Sequence, residues 1–310
     1  MRIVFFGTSD FAVPSLERLM GKGHELCAVV TQPSRRKGRS LALAEPPVKI
    51  LLNGGSIPIY QPQEASGEAI TKALLTYEPD LFVVVEFGQI LKESSLKIPK
   101  KFCLNLHASL LPEYRGAAPI NWSVINGDKK TGLTTMRMDA RMDAGDIILQ
   151  READISDYDT SQTLRPKLAA IGAELLLETI EIIAAGKALF TKQDEKKATY
   201  APKLKKEDGL IDWSMSARDI HNRVRGLAPW PSAYTHWKEK LIKIWSSEAA
   251  SQPASKDGIG IIAQVDKNGI TVGTGTGYLI IKELQLEGGK RLAADTFLRG
   301  HSIRIGDILR

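Results

Sequence analysis

The sequence predicts an α/β protein, a mostly parallel sheet covered on both faces by helices and followed by a small antiparallel β-barrel. Three observations carry that expectation. In the first half, short strands that are apolar throughout alternate with helical patterns, as in a parallel sheet buried on both sides. Beyond residue 207 the texture changes to alternating or β-rich runs divided by turns, as in a small barrel. The 310 residues exceed what one core usually spans, since single cores stop growing near roughly 250–300 residues.

Taken in order, Ile3–Phe6 reads as a buried strand, closed by the turn Gly7-Thr-Ser-Asp10 and followed by a helix over Val13–Met20. Glu25–Thr31 is a second strand and Ile57–Tyr60 a short third. A helix over Glu68–Tyr77 ends before Pro79, and Leu81–Val85 and Cys103–His107 are the next strands. Right-handed crossovers would bring the loops after these strands to one edge, where open α/β sheets bind ligands. A long helix over Ser161–Ala185 carries Leu164, Leu168, Ile171, Leu175 and Ile182 on one stripe, and Gly186 falls where a C-cap belongs. Residues 1–189 then form a first domain, and 190–206, polar and lysine-rich, a basic linker. Residues 207–310 form the barrel. There Ser216-Ala-Arg-Asp219 resembles a capping box for a helix ending at Gly226. Strands follow over Ala233–Trp237, Leu241–Trp245, Ile259–Val265, Gly269–Gly273 and Tyr278–Leu286, with Asn268-Gly269 marking a tight hairpin. The glycine-rich stretch Val272–Gly277 lacks a following helix and reads as a turn, not a phosphate loop.

Composition bounds the function. Apolar residues make up 43% and charged residues 25%, which excludes a disordered, collagen-like or coiled-coil chain. Two cysteines imply no disulfide framework, and no apolar stretch approaches the ~20 residues of a membrane span. The N-terminus carries no secretory signal, so a cytoplasmic protein without a membrane partner is expected. The net charge of +6 is uneven: residues 1–200 hold 25 basic and 24 acidic groups, residues 201–310 hold 17 and 12. One local exception is Arg35-Arg36-Lys37-Gly38-Arg39, read as a loop. Such a run is either a solvated loop or a contact for a polyanion, and a basic C-terminal third favours the second reading.

No G-x-G-x-x-G or G-x-x-x-x-G-K-[ST] motif follows the first strand, which argues against nicotinamide and nucleoside triphosphate chemistry. No Cys/His cluster has metal-ligand spacing, so no metal is expected. His24, His221, His236 and His301 stand in ordinary helix-edge or strand contexts. His107 differs, because it ends a strand within Asn105-Leu-His-Ala-Ser-Leu-Leu-Pro-Glu-Tyr-Arg-Gly-Ala-Ala-Pro119. Asn105 and His107 are two apart in extended chain, so their side chains leave the same face of the sheet. A third polar group could come from Met138-Asp-Ala-Arg-Met-Asp143-Ala-Gly-Asp146. The plain alternative is a buried histidine bonded to backbone, with Asp143 a turn residue.

The stretch Asn105–Pro119 with Asp143-Ala-Gly-Asp146 resembles the active-site signature of formyltransferases that use 10-formyltetrahydrofolate. Phe6-Gly-Thr8, Thr31-Gln-Pro33, Gly88-Gln-Ile-Leu91, Gln193-Asp-Glu195 and Ala198–Trp213 extend the likeness along the chain, where it is similar to the methionyl-tRNA formyltransferase family. The resemblance implies a Rossmann-like formyltransferase domain and an OB-like, tRNA-binding barrel. It implies that the formyl group of 10-formyltetrahydrofolate passes to the α-amino group of methionine on initiator methionyl-tRNA, giving the formylated tRNA used in translation initiation, with no metal. Asn105 would donate to the developing oxyanion, and His107 would stabilise it and handle protons. Asp143 would hold the imidazole or a water and favour the protonated ring. The folate would meet Gly88, Gln89, Leu91, Ser109, Leu110, Leu111 and Pro112. The tRNA would meet Arg35, Arg36, Lys37 and Arg39, then Lys203, Lys205 and Lys206. The enzyme would work as a monomer. Three departures from the family pattern stand out: Glu86-Phe87 for Ala-Tyr, Ser34 for an aspartate and Ser9 for a proline. Two rivals share features with this reading, an amino-sugar nucleotide formyltransferase or formyltetrahydrofolate hydrolase of the same fold, and an RNA-binding protein with an idle catalytic domain.

Overall fold

A computed structural model describes residues 1–21, 23–37, 42–250 and 258–310. They form two compact units: Met1–Pro119 with Thr131–Asp154 and Arg165–Ala201, and Ile120–Lys130 with Ile155–Leu164 and Pro202–Arg310.

In chain order the elements up to Ala201 are β1 (Arg2–Gly7), α1 (Val13–Leu19), β2 (Glu25–Val30), β3 (Arg35–Lys37), β4 (Ala42–Ala44), α2 (Pro47–Leu51) and β5 (Ile59–Tyr60). Then come α3 (Glu68–Leu75), β6 (Leu81–Val85), α4 (Glu93–Leu96), β7 (Phe102–His107), β8 (Arg115–Gly116) and α5 (Pro119–Ile125). They end with β9 (Lys130–Arg137), β10 (Ile147–Asp154), α6 (Ser161–Ala184) and β11 (Tyr200–Ala201). Seven strands make one sheet in the order β10-β9-β7-β6-β1-β2-β5. Neighbours from β5 to β7 pair in parallel, and β9 runs antiparallel to β7. The mostly parallel sheet expected from the sequence is therefore present.

Its order places the site. From β1 the chain steps to β2 and β5 on one side, then returns to lay β6 and β7 on the other. A crevice opens beyond the carboxyl ends of the strands where the order reverses, here past Gly7 of β1 and Val85 of β6. Phe6 and Phe82, both fully buried, pack at 4.9 Å between ring centroids. Phe87 meets Phe6 edge-on at 5.3 Å, so this departure from the family pattern belongs to the core. A fully buried side chain of this size is worth about 1.5–3 kcal/mol. At the end of α6, Lys187 N–H donates to the Ile182 carbonyl and Gly186 N–H to Ile183, with Gly186 at φ +68°. This is the glycine cap expected from the sequence.

Strands β9 and β10 were not anticipated, and their composition explains why. Thr131, Thr134 and Thr135 of β9 are buried hydroxyl residues where an apolar run would be the usual sign. Two of these hydroxyls are partnered: Thr134 Oγ1 donates to the Ser109 carbonyl at 2.7 Å, and Thr135 shares a bond with Thr179 at 2.9 Å. Of the segment read as a basic loop, Arg35–Lys37 form one strand of a hairpin, with Arg35 opposite Ala44 and Lys37 opposite Ala42, while residues 38 and 39 lie outside the described residues.

The second unit adds α7 (Ala217–Gly226), β12 (Ala233–Trp237), β13 (Lys240–Ala250), β14 (Ile262–Asp266), β15 (Gly269–Gly273), β16 (Tyr278–Leu286), β17 (Leu292–Ala293) and α8 (Ala294–Gly300). Ser216 Oγ accepts the Asp219 N–H at 3.1 Å, capping α7 as its sequence predicts. The sheet runs β12-β13-β16-β15-β14, with β17 beside β16, and these neighbours pair antiparallel. Its two outer strands are both joined to residues 307–310. His236 and Arg310 exchange backbone bonds at 2.7 and 3.0 Å, while Ile262 N–H donates to Asp307 and Leu309 N–H to Gly260. The C-terminal segment thereby bridges the two outer strands of the sheet. Residues 273–277 form a turn, in which Thr274 N–H donates to the Gly277 carbonyl at 3.2 Å.

The two units divide the chain differently from the boundaries expected at 189 and 207, in two places. Residues 120–130 and 155–164 join the second unit because Asn121 Nδ2 donates to the Gly226 carbonyl and Arg225 Nη1 to those of Ser156 and Asp159. Residues 190–201 are no free linker, because Thr191 pairs with Ile147 and β11 pairs with β8 in the first unit.

Candidate active site

A cavity of about 560 Å³ opens at the reversal of the parallel sheet. One wall comes from β7, which presents Asn105 and His107 together as their spacing requires. No described residue hydrogen-bonds the Asn105 carboxamide, leaving its N–H groups free for a ligand. His107 is only 7% exposed. Its Nε2 lies 3.0 Å from the Tyr114 carbonyl, which can only accept, so Nε2 carries a proton and Nδ1 is the nitrogen left for chemistry. Nδ1 faces Asp143 Oδ2 at 3.8 Å. The plain reading, a histidine bonded to backbone, is thus half of the arrangement, and the carboxylate and cavity are the other half.

Asp143 holds its place by two devices. Its Oδ2 accepts the Gly116 N–H at 2.9 Å, and its own backbone sits at φ +50°, a left-handed conformation that non-glycine residues rarely adopt. Gln193 secures the loop, donating from Nε2 to the carbonyls of Asp143 and Gly145, both at 2.8 Å. Gln193 in turn accepts from Arg115 Nε and Nη2, and the same buried guanidinium reaches Glu195. The bond from Arg115 holds the Glu195 carboxyl below its ordinary range. Sequence reasoning placed residues 193–195 in a linker, although Gln193-Asp-Glu195 was among the segments of resemblance, and missed Arg115 and Gln193 as supports.

The opposite wall follows β6: Glu86, Phe87, Gly88, Gln89, Ile90 and Leu91. Thr8 Oγ1 and Gln32 Nε2 both donate to the Phe87 carbonyl, at 2.8 and 3.0 Å. Gly88 sits at φ +80°, and a Cβ there would lie 2.4 Å from Gln32 Nε2, so this turn needs glycine. Gln89 accepts the Ala65 N–H through Oε1. Met136, Met138 and residues 139–142 complete the lining with Arg165 of α6.

Of the residues expected to meet a folate, Gly88, Gln89 and Leu91 line this cavity. Ser109, Leu110, Leu111 and Pro112 are not among its lining residues. Ser109 Oγ donates to the Glu113 carbonyl, Leu111 N–H donates to Thr134, and Leu110 packs where a Gly132 side chain would stand. Arg35 and Arg36 are exposed on their hairpin, Lys37 is placed only by its backbone, and Arg39 lies outside the described residues. Lys203, Lys205 and Lys206 are exposed in the second unit. Burial pushes the Cys103 thiol up to about 12, which leaves it protonated and suits a packing role. Among the described residues no cluster of His, Cys, Asp or Glu could hold a metal, and no helix is long and apolar enough to cross a membrane.

A cavity at a sheet reversal, walled by asparagine, histidine and aspartate and followed in the chain by an antiparallel barrel, defines the class. Residues 1–180 match the Formyl transferase family and residues 203–302 the Formyl transferase, C-terminal domain family. The chain is 47% identical over 309 residues to the methionyl-tRNA formyltransferase of Citrifermentans bemidjiense, covering 100% of this chain and 96% of the relative. It is 45% identical to that of Clostridioides difficile, covering 100% of each. It belongs to the methionyl-tRNA formyltransferase family. Its fold is shared with an N-formyltransferase from Helicobacter canadensis solved with folinic acid and dTDP-3-aminofucose, at TM-score 0.67 and 19% identity over 94% of this chain and 99% of that one. It is shared also with a methionyl-tRNA formyltransferase structure from Clostridium thermocellum, at TM-score 0.54 and 16% identity over 80% and 93%.

Proposed function

We propose that this chain transfers the formyl group of 10-formyltetrahydrofolate to the α-amino group of methionine on initiator methionyl-tRNA. The observation that carries the reading is the convergence of Asn105, His107 and Asp143 on one cavity wall, in a chain of this family. The amine attacks the formyl carbon and the carbonyl oxygen gains charge. The free Asn105 carboxamide donates to that oxygen, a contribution typically worth about 2.7–4 kcal/mol. His107 Nδ1 serves the same centre, and Asp143 beside it shares any proton the ring takes from the amine. The tetrahedral centre then collapses, releasing N10 of the folate, which regains a proton. No covalent enzyme intermediate is needed, because the formyl group arrives activated.

The donor is proposed to lie along Gly88, Gln89 and Leu91, where the pinned turn exposes backbone groups and Leu91 gives apolar cover. For the tRNA, Arg35 and Arg36 with Lys203, Lys205 and Lys206 supply exposed charge for phosphates, and the +5 balance of residues 201–310 supports the second unit as a tRNA-binding part. Since one chain holds the whole polar set, a monomer acting in the cytoplasm is sufficient.

The test is formyl transfer from 10-formyltetrahydrofolate to charged initiator tRNA, with elongator methionyl-tRNA and a dTDP-amino sugar in parallel. Turnover on the initiator alone is expected. Turnover on the sugar nucleotide without turnover on either tRNA overturns the reading.

A further inference from the structure

Glu86 and Ser9, two of the three departures from the family pattern, are not independent. Ser9 Oγ donates to Glu86 Oε2 at 2.6 Å, and both residues meet Arg165 of α6. The guanidinium forks onto both oxygens of Glu86, Nη1 to Oε1 at 3.0 Å and Nη2 to Oε2. Its Nε and Nη2 also donate to Asp10 Oδ1, at 3.1 and 3.0 Å. A planar guanidinium suits this bidentate pairing and a lysine would not. Glu86 itself sits at φ +40°, a conformation that stands only where its surroundings hold it. It is the first residue of the turn whose next two positions, Phe87 and Gly88, are pinned by Thr8 and Gln32.

We infer that Arg165 is a positioning residue for the formyl donor. It holds the turn 86–88 in its left-handed course and neutralises a carboxylate that would otherwise stand on the cavity wall. This rests on the folate-binding reading of the cavity. With Arg165 the cluster of Arg165, Glu86 and Asp10 carries one net negative charge; without it, two. A reduced folate carries carboxylates of its own, so the second negative charge opposes donor binding while leaving Asn105, His107 and Asp143 untouched. The effect is asymmetric: removing Glu86 leaves Arg165 paired with Asp10 and the wall neutral.

The experiment compares the full-length wild type, Arg165→Gln, Glu86→Gln and the double variant Glu86→Ala with Arg165→Gln. Tetrahydrofolate binding is measured by calorimetry, and kcat and KM for the formyl donor on charged initiator tRNA. Arg165→Gln is expected to raise Kd and KM about tenfold with kcat within about threefold of wild type. Glu86→Gln should move either by less than about threefold, and the double variant should recover most of the loss. Binding unchanged in Arg165→Gln, or a double variant as impaired as the single, overturns the inference. A fall in kcat with KM unchanged overturns it also. If wild type binds no folate at all, the functional reading fails instead, a result distinct from each of these.

Discussion

His107 and His221 are both largely enclosed histidines with an oxygen beside one ring nitrogen, yet their surroundings differ in sign. His107 lies between the Tyr114 carbonyl and the Asp143 carboxylate on a cavity wall. His221, on α7, meets Ser247 Oγ through Nδ1, and burial followed by the charges of Arg225 and Arg218 pushes it down to about 4. One ring stands beside a carboxylate, the other beside two guanidiniums. At His221 enclosure is the larger cause and the two guanidiniums add to it, so burial and neighbouring cations together keep that ring neutral.

The comparison breaks most visibly at the cavity. His107→Ala or Asn105→Ala is expected to lower kcat by about 10²–10³, the usual loss for a preorganised donor, with folate binding retained. The matching substitution His221→Gln should leave turnover at neutral pH within about twofold, and an equal loss in both would erase the distinction. Asp143→Asn removes the charge while keeping an oxygen for the Gly116 N–H, so about a tenfold drop in kcat is expected without a change in unfolding midpoint.

The third prediction concerns stability. Because His221 has a folded-state value of about 4 against an ordinary 6.5, the unfolded chain binds more protons between those limits. Its contribution is therefore intact above pH 6.5 and is lost as pH falls toward 4, by about 2 kcal/mol after allowance for partial exposure. Denaturant midpoints of wild type and His221→Gln, measured across pH 4 to 7, should converge as the pH falls. Parallel curves would sink the assignment. The smallest effect is at the hairpin: Arg35→Ala with Arg36→Ala should weaken tRNA binding by several-fold and reduce the salt slope by about 1–2, with kcat at saturating tRNA unchanged.

How much of this was legible in the sequence follows from what kind of signal each part leaves. The strands β1, β2, β5, β6 and β7 announced themselves because apolar runs have few other uses, and the caps of α6 and α7 because Gly186 and Ser216 act on adjacent backbone. Asn105 and His107 were readable because a spacing of two puts them on one face. Strand β9 was not, since its buried threonines look polar until their partners Ser109 and Thr179 are known. The Ser109–Pro112 stretch was placed at the donor by its adjacency to His107, which does not reveal that Ser109 Oγ and the Leu111 N–H bond Glu113 and Thr134. Arg165, Gln193 and Arg115 were silent for the same reason: each works on residues about 50 to 155 positions away.

The threading of residues 120–130 and 155–164 into the second unit bears on how the molecule can be taken apart. Arg225 and the Gly226 carbonyl find their partners in Asn121, Ser156, Asp159 and Ser161. A fragment beginning near residue 207 would strip the buried guanidinium of both its carbonyl acceptors while keeping the barrel strands. The barrel is therefore no interchangeable cassette. Grafting it onto another domain, or excising it for study alone, would have to carry these two upstream loops along with it.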